Sequence, residues 1–74
     1  MKSRPIVRRI GAAVRRRREA LPLSQEAFAD KVRMHRAYYG AIERGEKNLQ
    51  ISTLERVCAG LGSPMWEVMR EAES

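Results

Sequence analysis

Side chains suited to catalysis are scarce in this chain, which holds one histidine, His35, and one cysteine, Cys58. A zinc site needs about three or four protein ligands, and a nucleophile needs a base within hydrogen-bond reach. Neither constellation can be assembled, so the chain does not read as an enzyme, and no metal, cofactor or small-molecule ligand is expected. The lone cysteine also rules out an internal disulfide.

Cationic side chains, by contrast, are abundant and unevenly placed. Lys2, Arg4, Arg8, Arg9, Arg15, Arg16, Arg17 and Arg18 fall within the first eighteen residues with no acid among them, whereas the last eight hold Glu67, Glu71 and Glu73 against Arg70. The net charge is +6. A polyanion is the expected partner, and nucleic acid is the commonest one in the cytoplasm. The alternative is a solvated helix face that happens to be basic.

The elements that must carry these residues read as helices. Val7, Ile10, Val14 and Leu21 recur at helical spacing over residues 5 to 20, with Pro5 suited to a first helical position and Pro22 just past the end. Ser24 can cap a second helix whose apolar stripe is Phe28, Ala29 and Val32. A third runs from about His35 to Arg44 and stops at Gly45. Leu54, Val57, Cys58 and Leu61 mark a fourth, ended by Gly62; it starts either with a capping box from Ser52 to Glu55 or two residues earlier at Gln50. In the fifth, Ser63 is the expected cap, Pro64 the first residue, and Met65, Trp66, Val68 and Met69 the apolar side. Nothing alternates like a strand. One all-α domain over residues 1–74 is expected, with residues 1–5 as a flexible basic arm.

A chain this short buries only about 60% of the surface its unfolded form exposes, so sharing a core with a second copy would help. No apolar run approaches the ~20 residues of a membrane span, and the basic start lacks the h-region of a secretory signal. A cytoplasmic protein with no membrane partner is the default.

The second and third helices are about three residues apart, the spacing of a helix-turn-helix. The stretch "LSQEAFADKVRMHRAYYGAIERGEKNLQISTLERVCAGLG" resembles the phage-repressor, Cro/C1 or XRE, type of that motif through Leu23, Ser24, Gln25, Glu26, Ala29, Arg36, Tyr38, Ile42, Glu43, Arg44, Gly45, Asn48, Ile51, Thr53 and Leu54. Within that family, the short length, "HRAYYGAIERGEKNL" and the compact last helix look most like the controller proteins of restriction-modification systems. Four positions depart from the family pattern: Arg33 stands for the turn glycine, Tyr39 for isoleucine, Gly40 for serine and Leu49 for the loop proline.

At 100° per residue Arg36, Ala37, Gly40, Ala41 and Arg44 share one face of the third helix, with Tyr39 and Ile42 on the other. The resemblance implies that the first face enters the major groove of double-stranded DNA. Arg36 is then the candidate for reading a base, since its fork matches O6 and N7 of guanine; the alternative is a phosphate contact. Ala37 and Ala41 are expected against thymine methyl groups and Gly40 at close backbone approach, unless all three are tolerant surface positions. Gln25, His35, Tyr38, Arg44, Lys47 and Asn48 are expected at phosphates, with Lys47 alternatively solvated. Tyr39 is expected in the core. Arg18 and Glu43 fall where the family has an ion pair.

Met65, Trp66, Val68 and Met69 are too apolar for a solvated helix, so they are expected both to close the core and to form a two-fold interface. A homodimer would set two such helices about 34 Å apart, one DNA turn, on an inverted-repeat operator. The function expected is therefore that of a sequence-specific transcriptional regulator, with RNA polymerase as a further partner. The alternative is an antitoxin-like subunit that binds a partner protein and autoregulates its operon.

Overall fold

The structure is a computed structural model that describes residues 5–74; most of the expected basic arm, residues 1–4, lies outside them. Five helices follow one another: α1 (Pro5–Ala20), α2 (Gln25–Lys31), α3 (Arg36–Glu43), α4 (Ile51–Leu61) and α5 (Met65–Glu73). No strand occurs among the described residues, so the expected all-α fold is the one observed.

The longest helix, α1, is the pillar, packing against α3, α4 and α5. Ile10, Ala13 and Val14, one stripe at helical spacing, enter a core shared with Phe28, Tyr39, Ile42, Leu54, Val57 and Val68. Between these residues sits Gly11. A Cβ there would lie 2.5 Å from the Glu43 carbonyl oxygen and closer still to that of Ile42. Only a residue without a side chain lets the α1 backbone rest on the last turn of α3.

Three helix ends share one device, in which the N–H that follows a left-handed residue reaches the carbonyl five residues earlier. Met34 bonds Ala29 at 2.8 Å, Glu46 bonds Ala41 at 2.9 Å, and Ser63 bonds Cys58 at 3.1 Å. The device needs a left-handed residue before it. Gly45 and Gly62 fill that position after α3 and α4, with φ of 74° and 72°, but after α2 it is Arg33, with φ of 60°. The turn thus takes the left-handed backbone that glycine favours, with an arginine in that place.

Some boundaries differ from expectation by a residue or two. Gln50 is the N-cap of α4, the earlier of the two expected starts, so the Ser52–Glu55 capping box is not used. Pro64 is the N-cap of α5, and Ser63 instead accepts a hydrogen bond from Arg17 Nη1 at 2.9 Å. Leu21 lies beyond α1 and is 40% exposed.

The arginine run of α1 is tied down inside the molecule. Arg15 pairs with Glu19 one turn on, Arg16 and Arg17 each meet Glu71 at 2.7 Å, and Arg17 also meets Glu67 at 3.1 Å. Part of the charge asymmetry along the chain, Arg16 and Arg17 near the start against Glu67 and Glu71 near the end, is a clamp between α1 and α5.

Candidate nucleic-acid interface

The position of α3 is fixed by a buried polar cluster. Arg18 donates to both carboxylate oxygens of Glu43, at 2.8 and 3.0 Å, and to the Leu23 carbonyl at 2.8 Å. Tyr39 donates its hydroxyl to the same carboxylate, and Gln25 donates Nε2 at 2.9 Å. α1, α2 and α3 therefore converge on one acid. Burial alone would raise the Glu43 pKa, but the hydrogen bonds from Arg18, Tyr39 and Gln25 outweigh it and hold the carboxyl below its usual range. Burial, together with the hydrogen bond to Glu43, pushes the Tyr39 hydroxyl in the opposite direction, so it stays a donor.

Tyr39 is wholly buried, its ring centroid 5.1 Å from that of Phe28. Its hydroxyl contact and the Gln25 contact were not legible in the sequence. A tyrosine where isoleucine is usual was a signal: a buried phenol must find an acceptor, and the only buried carboxylate among the described residues is one helical turn away.

On the other side of α3, Arg36, Ala37, Tyr38 and Arg44 are exposed. Arg36 is held only loosely, 3.8 Å from Glu26, with its side chain 67% exposed. His35 caps the helix, its Nδ1 accepting from the Ala37 N–H at 3.2 Å. That leaves Nε2 as the ring donor. Lys47 Nζ lies 5.8 Å from the Tyr38 ring centroid, and Asn48 is exposed beside it in sequence. Arg44 grips Glu46 through Nε and Nη2, both at 3.1 Å.

The helical-wheel assignment of the exposed face needs correction at two positions. Gly40 and Ala41 are buried, Ala41 at 6% exposure. Gly40 lies under the ends of Gln25 and Arg44. The wheel assigns direction by angle alone and cannot register long neighbours folding over a residue with no side chain. Gln25 is half-buried, and its amide nitrogen, the donor a phosphate contact would use, is turned to Glu43.

The expected dimer residues also divide. Val68 is wholly buried in the monomer core and has no surface to offer a second copy, because its side of α5 faces the core that α1 and α4 share. Met65 and Met69 are half-buried against the core, and Trp66 is 62% exposed. Ile51, at the start of α4, is 69% exposed and was not anticipated as a surface apolar residue. Among the described residues no group of His, Cys, Asp and Glu could hold a metal ion, and no helix is long and apolar enough to cross a membrane.

A buried polar lock under a short, exposed third helix, joined to the second by a tight turn, is the architecture of a helix-turn-helix. A helix-turn-helix family model matches residues 14–65. The chain belongs to this family of DNA-binding regulators. Among curated proteins it is similar to the control protein C.MunI of a Mycoplasma species, with 40% identity over 57 residues, 77% of each chain. Among solved structures, the clp gene regulator ClgR of Corynebacterium glutamicum superposes with a TM-score of 0.89 at 29% identity, over 92% of this chain and 87% of that one. The restriction-modification controller protein C.Esp1396I, solved as a tetramer with its natural 35 base-pair operator, gives 0.82 at 26% identity, over 99% of this chain and 100% of that one.

Proposed function

We propose that this protein is a sequence-specific transcriptional regulator of the restriction-modification controller kind, acting as a homodimer on an inverted-repeat operator in the cytoplasm. The observation that carries the reading is α3 itself: rigidly held from behind by Arg18 and Glu43, it exposes Arg36, Ala37 and Tyr38 at its N-terminal end, where such helices meet base edges. The likeness to C.MunI and to the operator-bound C.Esp1396I supports it. Binding rather than catalysis fits the side chains present, since Glu43 is committed to Arg18, Tyr39 and Gln25.

Arg36 is the residue proposed to read a base, with Ala37 beside it for a methyl contact. His35, Tyr38, Lys47 and Asn48 are proposed to meet phosphates on either side. Ala41 contributes little surface, and a second copy is proposed to sit on the surface around the exposed Trp66, with Ile51 a second exposed apolar side chain for it to cover. Competition binding on DNA from upstream of the protein's own gene tests the reading. Arg36→Ala is expected to lose discrimination between that DNA and a scrambled sequence by roughly 10- to 100-fold, whereas Lys47→Ala weakens both equally and lowers the salt slope by about one. Equal affinity of the unaltered protein for both DNAs at physiological salt would sink the proposal.

A further inference from the structure

The glycine in the middle of α3 has a specific environment. A Cβ at Gly40 would lie 3.1 Å from Arg44 Nη1 and 3.3 Å from Gln25 Oε1. The space a side chain would fill is therefore occupied by the ends of two longer ones, one from each helix of the motif. Both ends are oriented from elsewhere. Glu43 is ionised beside Arg18 and can only accept, so the Gln25 amide must turn Nε2 toward it, which points Oε1 at Gly40. Glu46 takes Nε and Nη2 of Arg44, which leaves Nη1 for the same place. An acceptor and a donor thus both approach the place a Gly40 Cβ would take, over a helix that contributes no side chain there.

We propose that Gly40 is a specificity-determining position by omission, seating Gln25 Oε1 and Arg44 Nη1 as a composite reader of one base edge that offers a donor next to an acceptor. Adenine is the base whose major-groove edge has this pattern, with N6–H to meet the glutamine oxygen and N7 to meet the guanidinium. The pair would present the pattern that a single asparagine or glutamine presents elsewhere. Glycine is disfavoured inside a helix relative to alanine, and a composite reader gives a reason for its presence at this position. The inference rests on the DNA-binding reading above and adds a base to it.

The test is selection of preferred sites from randomised DNA, with circular dichroism melting of each variant as the control for folding. The unaltered protein should select an inverted repeat with an A·T pair at one position per half-site that Arg36→Ala does not relax. Gly40→Ala crowds the two ends, and Gln25→Ala removes one of them. Each should lose preference at that A·T pair by about tenfold, leave the other positions unchanged, and melt no lower than about the unaltered protein for Gly40→Ala. The double variant should lose no more than either single one, because both act on one contact. Retained preference in Gly40→Ala, independent losses that multiply, or relaxation spread over the whole site would overturn the composite reader while leaving the regulator reading intact. Failure of the unaltered protein to select any site would overturn both.

Discussion

Glu43 accepts hydrogen bonds from Arg18, Tyr39 and Gln25, so one carboxylate fixes three helices at once. Removing a single partner of such a buried pair leaves an uncompensated charge, which costs more than the pair contributes. Arg18→Met is expected to lower the unfolding free energy by about 3–5 kcal/mol, measured from urea midpoints. The double variant Arg18→Met, Glu43→Leu should recover part of that loss, since the Tyr39 hydroxyl and Gln25 amide then lack their acceptor and the Leu23 carbonyl its donor, but no unpaired charge is left buried. A double variant no more stable than Arg18→Met would show that the charge is not the source of the cost. The same acid governs the pH response. Its folded pKa lies below its ordinary value of 4.5, so its contribution is complete above that value and is lost as pH falls through the folded pKa. Glu43→Gln should be less stable than the unaltered protein near neutrality, and the gap should narrow between about pH 5 and pH 2. A constant gap across that range would mean that the ionised form is not what the fold selects.

Among the elements, the turn between α2 and α3 offers the sharpest test. Three helix ends use the same hydrogen-bond pattern, but only this one places a side chain in the left-handed region. An L-residue there is disfavoured by roughly 1 kcal/mol relative to glycine. Arg33→Gly should therefore raise the melting temperature by up to about 4–8 °C for a domain of this size. Among the described residues no hydrogen bond or ion pair of the Arg33 side chain is present to be lost. A lower melting temperature would mean that the arginine stem packs to advantage over the turn. Within α1 the four consecutive arginines divide by direction: Arg18 points inward to Glu43, while Arg16 and Arg17 reach α5. Composition suggested a surface for polyanions at the start of the chain, and in the fold most of this run is engaged with acids of the same molecule.

For the whole molecule, the core leaves Ile51 and Trp66 the most exposed large apolar side chains among the described residues, ahead of Leu21 and Tyr38. A 74-residue chain buries a modest share of its surface, so an interface that covers them would add appreciably to its stability. Trp66→Glu should shift the protein toward monomer in sedimentation equilibrium, lower operator affinity by uncoupling the half-sites, and leave the monomer's helical signal unchanged, because Val68 and Ala72 carry the core side of α5. An unchanged dimer would place the interface elsewhere. The melting temperature of the unaltered protein should also rise with protein concentration.

The sequence by itself determined the five helices, their stops at Gly45 and Gly62, and the helix-turn-helix, because hydrophobic period, caps and motif spacing are local properties written in neighbouring residues. It also paired Arg18 with Glu43, but only through likeness to a family whose members keep both residues. What the tertiary structure decided are the contacts between residues far apart in the chain. Tyr39 and Gln25 share the carboxylate of Glu43, Glu71 draws in Arg16 and Arg17, and Gly40 and Ala41 leave the exposed face that helical angle assigned to them. Val68 likewise belongs to the core and Trp66 to the surface, though both lie on one short apolar helix. Helical periodicity gives each residue an angle about its own axis. Which other helix lies at that angle, and which long side chain folds across a gap, is set only when the helices pack.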